Sequence, residues 1–177
     1  MQYTCKYVSP LGSITIAGDE YGLTGLWFDG QKYFAATLPA EHEEQMLPIF
    51  RETSEWLDCY FNGRDPGFTP TLRPTGTPFR LEVWNILCRI PYGETVTYKE
   101  IAEEVAYAHG TESMSAQAVG GAVGHNPISI IIPCHRVVGR DGSLTGYAGG
   151  ITRKTRLLAL EHADMTGLFV PSKGTAL

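Results

Sequence analysis

The chain has 177 residues, 43% apolar and 19% charged, with 14 Lys and Arg against 19 Asp and Glu for a formal charge of −5. That is enough chain for a real core in one domain or two small ones, and too apolar for a disordered protein. No apolar run approaches the ~18 residues of a membrane span, and the start, MQYTCKYVSPLGS, has no apolar stretch after a basic one of the kind an export signal shows.

The net acidity argues against a nucleic-acid partner only until it is divided. Residues 1–78 hold five cations and ten anions, whereas residues 79–177 hold nine of each. Within 136–158, Arg136, Arg140, Arg153, Lys154 and Arg156 face Asp141 alone. The acidity belongs to the first half, and DNA is not excluded for the second.

In chain order, QYTCKYV, SITIAG and LTGLWF alternate with turn residues and predict a small antiparallel sheet over residues 2–29. A helix follows with Pro48 near its start; Ile49, Thr53, Trp56, Leu57 and Tyr60 lie on one face and Gly63 at its stop. The Pro- and Gly-rich stretch 64–78 reads as a connector, with Phe68 and Leu72 packing it down. Thr77 can cap a helix whose inward face is Phe79, Val83, Ile86, Leu87 and Ile90. Thr97 and Glu100 form a capping box for a short helix ending near Gly110. A polar loop leads to a second short helix over 115–123, SAQAVGGAV, and the pair reads as a helix-turn-helix. Gly120 and Gly121 cost that helix about 1 kcal/mol each relative to Ala; lack of bulk suits close approach to another helix or to a nucleic-acid backbone.

Next, the β-branched run 128–132 predicts a buried strand delivering Pro133-Cys134-His135. Adjacent residues on a regular strand face opposite ways, so His135 can act on Cys134 only if the chain leaves extension there, as Pro133 permits. A thiol beside an imidazole can ionise near neutral pH and serve as a nucleophile. In the last predicted helix, 151–163, Glu161 shares a face with Leu157 and Leu158. A carboxylate on an apolar face calls for a partner, His135 being one candidate and plain solvent the alternative. Cys5, Cys59, Cys88 and Cys134 stand singly, without C-x-x-C spacing. The first three read as structural, Cys59 and Cys88 as small buried hydrophobes, and unpaired cysteines fit a reducing cytoplasm.

The segment NPISIIIPCHRVVGRDGSLTGYAGG, preceded by AVGGAVGH and followed by RKTRLLALE, closely resembles the O6-alkylguanine-DNA alkyltransferases, strongly over residues 77–163 and more loosely before them. The resemblance implies an α/β (α+β) N-terminal ribonuclease-H-like domain at 1–76 including the connector, a mainly helical winged-helix-like C-terminal DNA-binding domain at 77–165, and a tail at 166–177. It implies single, irreversible transfer of an alkyl group from guanine O6 in double-stranded DNA to Cys134, by a monomer without cofactor, and leaves O4-alkylthymine open.

By the same resemblance, His135 deprotonates Cys134 through a water, Glu161 orients and charge-balances His135, and Asn126 holds the active-site segment. Tyr98 donates to the flipped base, while Val137, Tyr147 and Ala148 line its pocket, the Cys134 and Val137 carbonyls accepting from the exocyclic amine. Gln117, Ala118, Gly120, Gly121 and Arg136 meet DNA, through the minor groove. Gln117 departs from the Arg that many members place there to fill the gap of the flipped base. Some members hold a structural zinc near the N-terminus; Cys5 has no Cys neighbour, so no metal is expected. A lesion-binding protein without transfer and a Cys–His hydrolase are the alternatives, the first disfavoured by Cys134, the second by the lack of a telling distant His motif.

Overall fold

The structure, a computed structural model, describes residues 1–172, which fall into two compact units. The first comprises Met1–Thr75 with Pro127–Ile131; the second comprises Gly76–Asn126 and the described residues from Ile132 onward.

In the first unit β1 (Gln2–Ser9), β2 (Gly12–Asp19) and β3 (Gly22–Phe28) form an antiparallel meander, to which β4 (His42–Glu44) adds in parallel beside β1, giving the order β3-β2-β1-β4. β4 is acidic, exposed and only three residues long, so it carried no apolar alternation to read. Helix α1 (Pro48–Phe61) buries Phe50, Thr53, Trp56, Leu57 and Tyr60, with Phe50 taking the inward place expected of Ile49. The connector is indeed packed down, though by its backbone: Leu23 N donates to Thr71 O at 2.8 Å and Arg73 N to Leu23 O at 2.6 Å. A Cβ on Gly22 would meet Thr71 O at 2.8 Å, so this approach requires glycine.

The expected strand over 128–132 does not form. Leu26 N donates to Pro127 O and Ser129 N to Leu26 O, both at 2.9 Å, leaving an isolated bridge between Leu26 and Ile128. These bonds attach 127–131 to β3 and hence to the first unit, whereas the sequence boundary placed the segment in the second. The chain then turns at Ile130, whose φ of 70° is left-handed. For a β-branched residue that costs on the order of 1–3 kcal/mol.

In the second unit, Thr77 caps α2 (Pro78–Cys88) by accepting from Arg80 N, and the indole of Trp84 donates to Ala122 O at 2.8 Å. The capping box is complete: Thr97 N donates to Glu100 Oε2 at 2.7 Å and Glu100 N to Thr97 Oγ1 at 3.1 Å. It starts α3 (Tyr98–His109), which stops at Gly110 with φ 64°. Ser115 caps α4 (Ala116–Gly124), which packs through Val119, Ala122 and Val123. β5 (Val96–Thr97) pairs in parallel with β6 (Val137–Val138), and α5 (Ile151–Leu160) follows, shorter than expected and capped by Glu161 itself. Tail residues join this unit as well: Phe169 is bonded to the β6–α5 loop, while residues 173–177 lie outside the described residues. The cysteine readings divide, since Cys5 is buried but Cys59 is half-buried and Cys88, in the last turn of α2, is exposed.

Candidate active site

Two tight features place Cys134. Pro133, at φ −82° and ψ 63°, centres an inverse γ-turn closed by Cys134 N donating to Ile132 O at 2.8 Å. A single 3-10 turn over Cys134–Arg136 follows. The chain thus leaves extension just where the Cys–His pair needs it to. Asn126 clamps the bend, donating from Nδ2 to Ile132 O at 2.8 Å and to the Cys134 sulfur at 3.1 Å.

Glu161 is buried, and His135 Nε2 donates to its Oε1 at 2.6 Å. Because Nε2 must carry the proton of that bond, the basic lone pair of the neutral ring is on Nδ1. Tyr147 packs edge-on to the imidazole, with centroids 6.4 Å apart. The other claimant on Glu161 is Arg136: Nε donates to Oε2 and Nη2 to Oε1, both at 2.9 Å, and Nη1 donates to Ile90 O at 2.6 Å. Arg136, expected at DNA, is therefore an internal residue, 8% exposed, whose guanidinium is committed to the carboxylate. Gly93 N adds a longer bond to Glu161 Oε2 at 3.3 Å.

Lys154, which sequence reasoning passed over as a surface cation, is fully buried, its ammonium donating to Val137 O and, at 2.7 Å, to Thr145 O. The signal was present: Lys154, Leu157, Leu158 and Glu161 fall at i, i+3, i+4 and i+7, so both charges share the inward stripe of the last helix. Thr145 O also accepts from the Tyr98 hydroxyl at 2.9 Å. Val137, Tyr147 and Lys154 are buried and Ala148 is half-buried. Gln117, Ala118 and Gly121 are exposed on α4, with Gly120 half-buried against the Tyr98 ring. A Cβ built on Gly121 meets nothing within 4 Å, so packing inside the protein does not require glycine there.

Burial pushes the Cys134 thiol above its ordinary value, although the Asn126 amide, the Lys154 ammonium and the backbone N–H groups of Cys134 and His135 draw it back in part. Burial also lowers His135, against the pull of Glu161 and together with the charges of Arg136 and Lys154. Burial alone would raise Glu161, but His135 and Arg136 hold it far below the usual carboxylate range. At neutral pH the cluster thus rests as thiol, neutral imidazole and carboxylate. Tyr98 is raised by burial and then by Cys134, which keeps its hydroxyl a donor.

Burial lowers Lys154 from 10.5 to about 8. Between those values the unfolded chain binds the extra proton, so this group makes stability rise with pH across that window. Lys154→Met should remove that rise, which urea unfolding of both proteins at pH 8 and pH 10 measures.

Fold and site together define a helix-turn-helix protein with a buried cysteine–histidine–glutamate cluster. Two family models match it: 6-O-methylguanine DNA methyltransferase, ribonuclease-like domain, over residues 2–74, and 6-O-methylguanine DNA methyltransferase, DNA binding domain, over residues 78–163. A methylated-DNA–protein-cysteine methyltransferase of Methanosarcina barkeri is 47% identical over 158 residues, 89% of this chain and 95% of the relative. One of Haemophilus influenzae is 41% identical, covering 90% of this chain and 86% of the relative. Among solved structures, Mycobacterium tuberculosis OGT in complex with DNA matches at 42% identity and TM-score 0.76, over 91% of this chain and 92% of that one. The chain belongs to the 6-O-methylguanine DNA methyltransferase family. Among the described residues no helix is long and apolar enough to cross a membrane.

Proposed function

We propose that Cys134 is the acceptor of the alkyl group and that the cluster around it ionises the thiol once a flipped base has entered. By family the chain is a DNA repair protein that transfers alkyl groups to its own cysteine. The observation that carries the residue assignment is the Asn126–Cys134 contact at 3.1 Å beside the 2.6 Å His135–Glu161 pair. A lesion inside the stack is out of reach of a buried sulfur, so the base must be extruded first.

The thiol proton passes through a water to His135 Nδ1, and Glu161 balances the imidazolium that forms. The thiolate attacks the alkyl carbon; the S–C bond forms as the C–O6 bond breaks and its electron pair stays with guanine. Tyr98 donates its proton to the base and is reprotonated by the one first taken from sulfur, so in net terms sulfur loses one proton and guanine gains one in exchange for the alkyl group. When Tyr98 turns to the base, Lys154 still satisfies Thr145 O. The thioether is a poor leaving group, so each molecule acts once. Val137, Tyr147 and Ala148 line the base pocket in this reading, and the Val137 carbonyl, with two lone pairs, can accept from both Lys154 and the base.

The exposed face of α4, with Gln117, Ala118, Gly120 and Gly121, approaches the DNA. Of the five cations in 136–158, Arg136 and Lys154 are internal and Arg153 is half-buried and donates to Gly149 O, so Arg140 and Arg156 are the exposed ones and electrostatic affinity is modest. Gln117→Arg should steepen the salt dependence of binding by about 0.9 log units of affinity per log unit of salt; a titration over a range of salt concentrations checks it, and an unchanged slope would take Gln117 out of the interface. The four free cysteines favour the reducing cytoplasm as the working compartment.

Intact-mass analysis after incubation with an O6-methylguanine duplex tests the function. One methyl on Cys134 is the expected result. Binding without an adduct would make the chain a lesion sensor, and thioester turnover without DNA a hydrolase.

A further inference from the structure

The loop between β6 and α5, residues 139–150, is gripped from two sides. On the inner side Thr145 O takes bonds from Tyr98 and Lys154. On the outer side the chain after α5 returns to it. Asp164 Oδ1 accepts from Thr166 N at 2.9 Å, and Leu168 N donates to Met165 O at 3.1 Å across Gly167, whose φ is 78°. This is a type II turn with glycine in the position that needs positive φ. The turn aims Phe169 at the loop: Leu144 N donates to Phe169 O at 2.9 Å and Phe169 N to Gly142 O at 3.1 Å. The two backbones touch so closely that a Cβ on Gly142, at φ 92°, would lie 2.1 Å from Gly167 O. Beneath them Leu144 is buried with Val138, Leu158 and Ala163, and Met165 and Leu168 close over this cluster.

We infer that Asp164–Phe169 is a clamp that positions the pocket loop and thereby restricts the size of alkyl group transferred. The inference rests on the reading of Tyr147 and Ala148 as pocket lining. The clamp holds Gly142 and Leu144, the inner bonds hold Thr145, and the lining residues begin two positions further on. With both grips in place the loop cannot move away from the base. Without the outer grip the stretch before Thr145 loses its two backbone bonds to the tail, while the bonds at Thr145, the Tyr147 contact with His135 and the Arg153 bond to Gly149 O remain, and the pocket has room to widen. A methyl group needs close positioning against the sulfur, whereas a benzyl group needs space; the clamp trades the second for the first.

The test compares single-transfer rates from duplexes containing O6-methylguanine and O6-benzylguanine, with adducts mapped to Cys134. Phe169→Pro removes the donor to Gly142 O, and Gly142→Ala drives a methyl into the tail. Each is expected to slow methyl transfer about tenfold, the scale of a small misplacement of reacting groups, and to raise the benzyl-to-methyl rate ratio. Phe169→Ala keeps both backbone bonds and should match the wild type. An unchanged ratio in both disrupting variants, with wild-type transfer intact, overturns the clamp. Failure of the wild type to gain any adduct overturns the Cys134 reading instead. Independently of how the variants fold, the Leu144 amide of the wild type should exchange slowly with solvent; fast exchange there overturns the clamp.

Discussion

Cys134→Ala is expected to abolish alkyl transfer while leaving DNA affinity unchanged. In the proposed reaction the reacting atom is the Cys134 sulfur, and no other described cysteine has its surroundings: Cys5 is buried in the first unit and pushed up to about 11 by burial and then by Glu44, while Cys59 and Cys88 stand outside the cluster. The helix face that carries Gln117 and Gly121 does not include position 134, so the contacts that position the duplex persist. Intact mass and a binding titration on the same preparation check both halves. A methyl adduct on the alanine variant would end the assignment.

Glu161→Gln is expected to have the second-largest effect, on two readouts. The carboxylate balances the guanidinium of Arg136, which sits 8% exposed, so losing it leaves a buried cation without its counter-charge. Such losses cost about 3–5 kcal/mol. Transfer should slow about a hundredfold, since the imidazolium formed at His135 loses its anion. The pH dependence supplies a signature. Glu161 is held below its ordinary value of 4.5, so the folded state binds fewer protons than the unfolded one under acid conditions. Its stabilisation is present above that value and drains away as the pH falls below it. The variant should therefore unfold with a shallower acid limb than the wild type, a difference that denaturation between pH 3 and pH 7 resolves.

The parts of this fold legible in the sequence were those whose cause is local. The Thr97–Glu100 box, the Thr77 cap, the Gly110 stop and the three opening strands follow from a few neighbouring residues, and all are present. The Cys134–His135–Glu161 cluster could be suspected because a nucleophile beside an imidazole and a carboxylate on an apolar face each ask for a partner. What escaped was decided by non-local contact. Four isoleucines among the five residues 128–132 suggest a strand, yet two bonds to Leu26 and a left-handed residue make them a bridge and a turn. Arg136 and Lys154 look like surface charge until the carboxylate and carbonyls that enclose them are in place. The three-residue β4 has no pattern of its own, being held by its register with Gln2–Thr4.

The enclosure of Cys134 also bears on what the molecule survives between encounters with damage. A sulfur 4% exposed and reluctant to ionise offers little to peroxide or to diffusing electrophiles, which react with accessible thiolates. A protein that can react only once would be wasted by any such collision. The same burial that withholds the thiolate at rest is thus expected to slow such losses in the unreacted molecule.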